Sequence, residues 1–392
     1  ISCSLVGSEM CIRDSACGVI IGRYDISDVV PVSTAKDKDT GEEMLVTQYE
    51  GSVIEETGLI KMDFLGLKTL SIIKEAIENI RLTTGHDLDI DHISLEDPAT
   101  YKLYCDGKTT GTFQFESAGM QKYLKELQPS KFEDLIAMNA LYRPGPMEYI
   151  PSFIRRKHGE EPIEYDHPMM EPYLKDTYGI TVYQEQVMQI VRDLAGYSMG
   201  RSDLVRRAMS KKKTQVMEKE RQNFVYGNEE EGVKGCIANG ISEAVANKIY
   251  DDMIDFAKYA FNKSHAAAYA VVAYQTAYLK YYYPAEFMAA MLTSVMDNAE
   301  KVSEYIYSCR SMGIKILPPD INEGESGFSV SENCIRYGLT AIKSVGKNII
   351  DAIVMERNAA GKYKSLEDFI SRTSPLGVNK RAVENFIKAG AL

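Results

Sequence analysis

Four short segments carry residue types and spacings that suit phosphate chemistry. The first is Ile60-Lys61-Met62-Asp63-Phe64-Leu65, which reads as a strand. Period-two alternation puts Ile60, Met62 and Phe64 on one face and sets Lys61 beside Asp63 on the other. A carboxylate next to an ammonium at a strand's end could hold a metal and a phosphate together. On spacing alone an ordinary ion pair on a half-buried sheet explains the pattern more simply. The second segment, Arg201 to Lys213, has six basic residues against one acid. Arg206, Arg207 and Ser210 or Lys211 fall within one helical turn, which suits polyphosphate oxygens, although a basic run is usually a solvated face. In the third, Tyr259-Ala-Phe261-Asn262-Lys263-Ser264-His265, Ser264 is the expected N-cap of an alanine-rich helix. Lys263 and His265 then sit at that helix's start, where backbone N–H groups and the dipole favour an anion. A capping turn with a packed His is the simpler alternative.

The fourth segment, Leu339 to Ile353, has the form of a helix-hairpin-helix. Gly346 is expected to allow the tight turn, and N–H groups around Val345 to Lys347 to face a phosphate, with Lys343 and Lys347 alongside. Asn379 to Gly390 reads as a partner helix for a tandem unit. Such hairpins also occur as plain packing units.

These elements sit in a chain of 392 residues with 45% hydrophobic content, enough for more than one domain. Its net charge, 45 basic against 56 acidic residues, is −11, so any nucleic-acid surface must be a local patch. Seven cysteines, scattered and without metal-type pairs, fit a reducing cytoplasm. The most apolar stretch, Ala266 to Tyr278, is too short for a bilayer and reads as a buried helix. There is no Walker A, GxGxxG or serine-elbow motif. His86 and His92 among Asp87, Asp89 and Asp91 read as an exposed acidic turn, and Tyr281-Tyr282-Tyr283 as core packing near Pro284.

Residues 1–15, ISCSLVGSEMCIRDS, fit nothing that follows and are set aside as a non-native leader. The chain proper then starts inside a strand, as a fragment would. Residues 16–67 read as β-rich. From Thr69 onward Leu70, Ile73, Ala76 and Ile77 open a helical pattern that dominates to the end, and Leu317-Pro-Pro marks a boundary before a small C-terminal unit.

Taken in order, Thr47-Gln-Tyr-Glu50, Lys61-Met-Asp63-Phe-Leu-Gly-Leu, Gly111-Thr-Phe-Gln-Phe-Glu116-Ser, Leu141-Tyr-Arg143-Pro-Gly-Pro, Tyr183-Gln-Glu-Gln-Val-Met, Arg206-Arg-Ala-Met-Ser-Lys-Lys-Lys, Phe261-Asn-Lys-Ser-His265 and Pro284-Ala-Glu-Phe resemble the bacterial DNA polymerase III alpha subunit family over residues 16–392. The resemblance implies a multidomain, mainly α protein. Residues 16–67 would be the C-terminal part of an α/β, polymerase-beta-like palm, 68–325 large all-α fingers and 326–392 the helix-hairpin-helix unit. It implies replicative, template-directed DNA synthesis with Mg²⁺, primer-template DNA and dNTPs. The sliding clamp and other replisome subunits would bind through regions outside the chain, with no membrane involved. Asp63 matches the third catalytic aspartate and metal ligand. Lys61, Arg206, Arg207, Lys263 and His265 match positions around the incoming triphosphate and are expected to line one cleft facing Asp63. Lys343, Val345, Gly346 and Lys347 would contact DNA. The first two aspartates of the family belong to an upstream Asp-x-Asp, so the chain is expected to be inactive alone. Where the family has a His before the Gly18-Val-Ile-Ile strand this chain has Ser15, and no role is carried to it. Two other classes remain open: a non-catalytic helix-hairpin-helix DNA-binding protein, which would have no use for the Lys-x-Asp strand, and a small-molecule nucleotidyltransferase, which would have no use for a DNA-gripping unit.

Overall fold

The computed structural model describes residues 18–36, 41, 43–63, 66–210, 214–257 and 259–392, with Ser52, Glu55, Asp63, Ser210 and Thr214 described by backbone only. The expected leader, Phe64 and Lys211 to Lys213 lie outside the described residues. The chain divides into two units, residues 1–67 and 68–392.

In the first unit β1 (Gly18–Ile21) pairs antiparallel with β4 (Ile60–Asp63), and β2 (Val32–Lys36) with β3 (Glu43–Thr47). The register sets Ile20 opposite Lys61 and Gly18 opposite Asp63. Ile20 packs on a small core of Val30, Ile54 and Leu59. The apolar residues of the other face stay open: Ile60 is 62% exposed, Val19 53% and Met62 40%. The sheet is half-buried, but it is the face of Ile20 and Lys61 that is covered and the apolar Ile60–Met62 face that is open. Alternation separates two faces but does not say which one finds a partner.

The second unit is helical, and its packing follows from small and branched residues at helical spacing. α1 (Lys68–Thr84) buries Ile72, Ile73, Ala76 and Ile80, while Leu70, expected in the stripe, is exposed. Next come α2 (Pro98–Cys105), α3 (Ala118–Leu127), α4 (Phe132–Leu141) and α5 (Ile150–Lys157). α6 (Gln184–Ala195), α7 (Met199–Ser210), α8 (Thr214–Tyr226) and α9 (Glu243–Ala257) close around Val187, Ile190, Val191, Leu194, Phe224 and Tyr250. α10 (Lys263–Tyr282) is the central strut. Its Ala266, Ala270, Ala273 and Ala277 are fully buried in one core with Ala137 and Ala140 of α4, because methyl side chains let two helices approach closely. The expected buried helix over 266–278 lies within α10, whereas Tyr281 and Tyr282 are exposed rather than packed: the helix turns them outward, and the Tyr282 hydroxyl donates to Asp97.

α11 (Pro284–Ser294) and α12 (Ala299–Ser311) share a core with α1 and with a three-stranded sheet that the helical pattern did not announce. In that sheet β5 (Ile316–Leu317) runs parallel to β7 (Cys334–Arg336), and β6 (Ser329–Ser331) antiparallel to it. Strands of two or three residues are too short to show a period. The C-terminal helices α13 (Lys347–Ala360), α14 (Leu366–Thr373) and α15 (Lys380–Ala389) have their own core around Ile350, Ile353, Phe369 and Phe386. Buried Arg357 ties this core to the chain before it, donating to the carbonyl of Ile321 and to the Glu325 carboxylate.

Candidate functional site

Lys61 and Asp63 belong to the first unit, and Arg206, Arg207, Lys263 and His265 to the second. In the first unit the Lys61 side chain lies beside Gly51, where a Cβ would stand 3.5 Å from its Cε and Nζ. No side-chain geometry is described for Asp63.

In the second unit the segment Tyr183 to Gln186, at the start of α6, is the joint on which the site is built. Gln186 points inward and is fully employed. Its Oε1 accepts from the N–H groups of Val182 (2.8 Å) and Tyr183 (2.9 Å), and its Nε2 donates to Tyr173 O (3.0 Å) and Thr177 Oγ1 (2.9 Å). A buried amide with four such bonds fixes where α6 begins. Ahead of it the backbone pairs with the segment before α10: Gln184 N–H donates to Phe261 O (2.9 Å) and Phe261 N–H to Val182 O (3.0 Å). Gln184 then reaches the Arg206 guanidinium, and Glu185 the backbone start of α10 at Lys263. Gln184 Oε1 accepts from Arg206 Nη1 (3.1 Å) while its Nε2 donates to Ala260 O (3.2 Å). The Glu185 carboxylate accepts from Lys263 N–H (2.9 and 3.1 Å) and Asn262 Nδ2 (3.0 Å).

Arg206 and Lys263, 57 positions apart in sequence, are therefore held by adjacent residues of one helix. Arg207 joins through Asp203, whose Oδ1 takes Nε (2.9 Å) and Nη2 (2.8 Å) of Arg206 and whose Oδ2 takes Nε of Arg207 (2.8 Å). Local ion pairing is thus present beside the gathering of these groups. Residues three and four positions apart on a helix are neighbours, so one aspartate serves both arginines. The Lys263 ammonium lies 5.4 Å from the centroid of the Tyr183 ring.

The N-cap of α10 is Asn262, not Ser264: Asn262 Oδ1 accepts from His265 N–H at 2.8 Å, so the helix starts at Lys263 and the expected cap falls inside its first turn. The His265 ring is stacked on Tyr269 (centroids 4.1 Å apart) and meets Phe261 edge-on (5.3 Å). Burial pulls its pKa below the ordinary 6.5, so near neutral pH it is an uncharged imidazole and not one of the cations. Tyr269 in turn packs on Phe113, 5.1 Å away.

Reasoning from spacing did not single out Gln184, Glu185 or Arg143. Arg143 donates to Ala140 O (2.8 Å) and Tyr259 O (2.7 Å), and its guanidinium lies 4.3 Å above the Phe261 ring. Gly145 has φ +99°, and a Cβ there would lie 2.6 Å from Tyr259 Cε1, so only glycine lets the loop close on the segment that leads into α10. The polar residues just before the apolar stripe of α6 were the available signal: they mark a helix start, but not what its side chains reach.

In the C-terminal unit Lys343 and Lys347 are exposed. Val345 is buried in the core, so only its backbone can meet a phosphate. The hairpin corrects the expectation for Gly346. That residue caps α13 with φ −70° and ψ 144°, a conformation open to any residue, and no side chain caps the helix. The left-handed residue of the turn is Ser344, at φ +64°. Before it the first helix of the motif is a single 3₁₀ turn, Leu339–Ala341.

Comparison with known proteins accounts for most of the chain. Residues 69–232 match the bacterial DNA polymerase III alpha subunit finger domain, 7–66 the bacterial DNA polymerase III alpha NTPase domain, and 313–392 a helix-hairpin-helix motif. The chain is 50% identical over 375 residues to DNA polymerase III subunit alpha of Chlamydia trachomatis, covering 96% of the chain and 29% of that protein. It is 47% identical over 382 residues to the same subunit of Thermus aquaticus, covering 96% and 30%, and 44% identical over 377 residues to that of Bacillus subtilis, covering 96% and 33%. The chain belongs to the bacterial DNA polymerase III alpha subunit family, and it spans about a third or less of the length of these curated relatives. A free-standing helix-hairpin-helix protein would account for residues 313–392 alone.

Proposed function

We propose that this chain is the part of a replicative, template-directed DNA polymerase that receives the incoming dNTP and grips DNA, with residues 16–67 in the palm, 68–325 as fingers and 326–392 as the DNA-holding unit. The observation that carries the reading is the joint at Gln184 and Glu185, which gathers Arg206 and the Lys263 helix start. A triphosphate carries several charges along its length, and donors that reach it from two helices orient it better than one cation can. Arg207, Arg206 and Lys263 supply charge, His265 a neutral ring nitrogen, and Lys61 an ammonium beside Asp63. Lys343, Lys347 and the backbone from Val345 to Gly346 hold DNA phosphates without reading bases.

Asp63 is the proposed catalytic and metal-binding residue. One carboxylate is too few for a two-metal Mg²⁺ centre. The metal-dependent chemistry lies beyond what these residues can do alone. The purified chain should therefore add no nucleotide to a primer in the presence of Mg²⁺ and dNTPs. In the full-length protein Asp63→Asn should abolish primer extension while DNA affinity stays nearly unchanged. Extension by the chain alone, or near-normal turnover of Asp63→Asn, would overturn the assignment.

A further inference from the structure

In the second unit a carboxylate of the protein itself pairs with the two arginines, and another sits on the backbone start of α10 beside, not on, the Lys263 ammonium. Asp203 bridges Arg206 and Arg207 with one oxygen on each guanidinium, and Glu185 takes the first N–H of α10 together with the Asn262 amide. Two oxygens shared between two guanidiniums, and an oxyanion on a helix's first N–H, are arrangements that phosphate oxygens adopt. The Arg206 side chain is only 11% exposed and needs an acceptor at all times, so a carboxylate there keeps the arginines aligned when no ligand is present.

We propose that Asp203 and Glu185 are stand-ins for the phosphates of a nucleoside triphosphate, an inference that rests on the nucleotide-binding reading above. The ligand takes over donors that are already pointed and compensated, and the two carboxylates turn aside toward solvent. Their negative charge lowers the site's affinity for any polyphosphate while the site is empty, which guards against retention of the wrong ligand or of released pyrophosphate. Asp203 and Glu185 are positioning residues in this scheme and take no part in the chemistry.

Removing the charge while keeping the shape tests it. Binding of inorganic tripolyphosphate and of dATP to the full chain is measured by calorimetry at low salt, with thermal melting as the check on folding. Asp203→Asn should bind tripolyphosphate about three- to tenfold more tightly than the parent, in proportion to the loss of one nearby like charge. Glu185→Gln, which keeps an oxygen to accept from Lys263 N–H, should do the same independently, so misfolding of one variant leaves the other to decide. Arg207→Ala and Lys263→Ala report on the site itself. If they weaken binding but neither carboxylate variant strengthens it, the stand-in role is wrong and the site survives. If all four variants bind as the parent does, both readings fall. A duplex oligonucleotide is the second probe: if it alone binds more tightly, the carboxylates stand in for DNA phosphates and the proposal is overturned.

Discussion

At the scale of single residues, the wall behind His265 depends on a lysine that no motif marked. Lys280 is 4% exposed, and its ammonium donates to the carbonyls of Lys108 (2.8 Å) and Thr110 (2.6 Å). It clamps the loop that carries Phe113 against α10, where Thr276 Oγ1 accepts from Phe113 N–H. Burial pulls the Lys280 pKa from its ordinary 10.5 to about 8. Between those values the folded chain holds fewer protons than the unfolded one, so stability rises with pH across that window, and the burial cost is fully present below about pH 8. Lys280→Met keeps most of the volume, removes that cost and leaves two carbonyls without a donor, effects of similar size, each about 1–3 kcal/mol. Net stability at pH 7 should therefore change little. The difference from the parent in urea unfolding should shift by about 2 kcal/mol in the parent's favour between pH 8 and 10. A difference independent of pH would show that the ammonium carries no burial cost.

At the scale of the element, the hairpin before α13 turns on Ser344 rather than Gly346. A non-glycine residue at φ +64° costs about 1 kcal/mol, and a β-branched side chain there costs more. Ser344→Gly should thus leave the chain as stable or more stable, and Ser344→Val should destabilise it by about 1–2 kcal/mol. Gly346→Val should be nearly neutral, since the backbone is extended there and nothing lies within 4 Å of an added Cβ. Thermal melting of the three variants checks the order. A large loss from Gly346→Val with none from Ser344→Val would restore the glycine to the role that its position in the motif first implied.

At the scale of the whole molecule, the balance of 45 basic to 56 acidic residues means that the proposed DNA contact would have to come from a local patch against an unfavourable background. On the proposed reading, in which lysines and backbone N–H groups meet phosphates and no base edges, affinity of the full chain for duplex DNA should fall steeply with salt and vary little with sequence. Replacing Lys343 and Lys347 by alanine should weaken binding to all sequences alike and reduce the slope of log K against log salt by about two. Fluorescence anisotropy titrations from 50 to 300 mM salt, roughly the range in which such contacts are lost, would show it. Binding insensitive to salt would remove the hairpin from this role.

The pieces of the candidate site could be read from the residues, because each is local in sequence. A carboxylate beside a lysine on a strand, two adjacent arginines on a helix and a lysine at a helix start each follow from period and residue type. α10 was legible because the alanine-rich stretch from Ala266 to Tyr278 is apolar yet too short to cross a bilayer. What the tertiary structure decided is where those local pieces meet. Gln184 and Glu185 look like any polar start to a helix until the Tyr183–Phe261 pairing brings Arg206 and Lys263 to them. The same holds for faces and turns. Alternation in β4 does not say that the Ile60–Met62 side lies open, and a glycine in a hairpin motif does not say that its neighbour Ser344 takes the left-handed backbone. Periodicity and propensity act over a few residues, whereas burial, ion-pair partners and turn strain are settled by whichever distant segment packs against them.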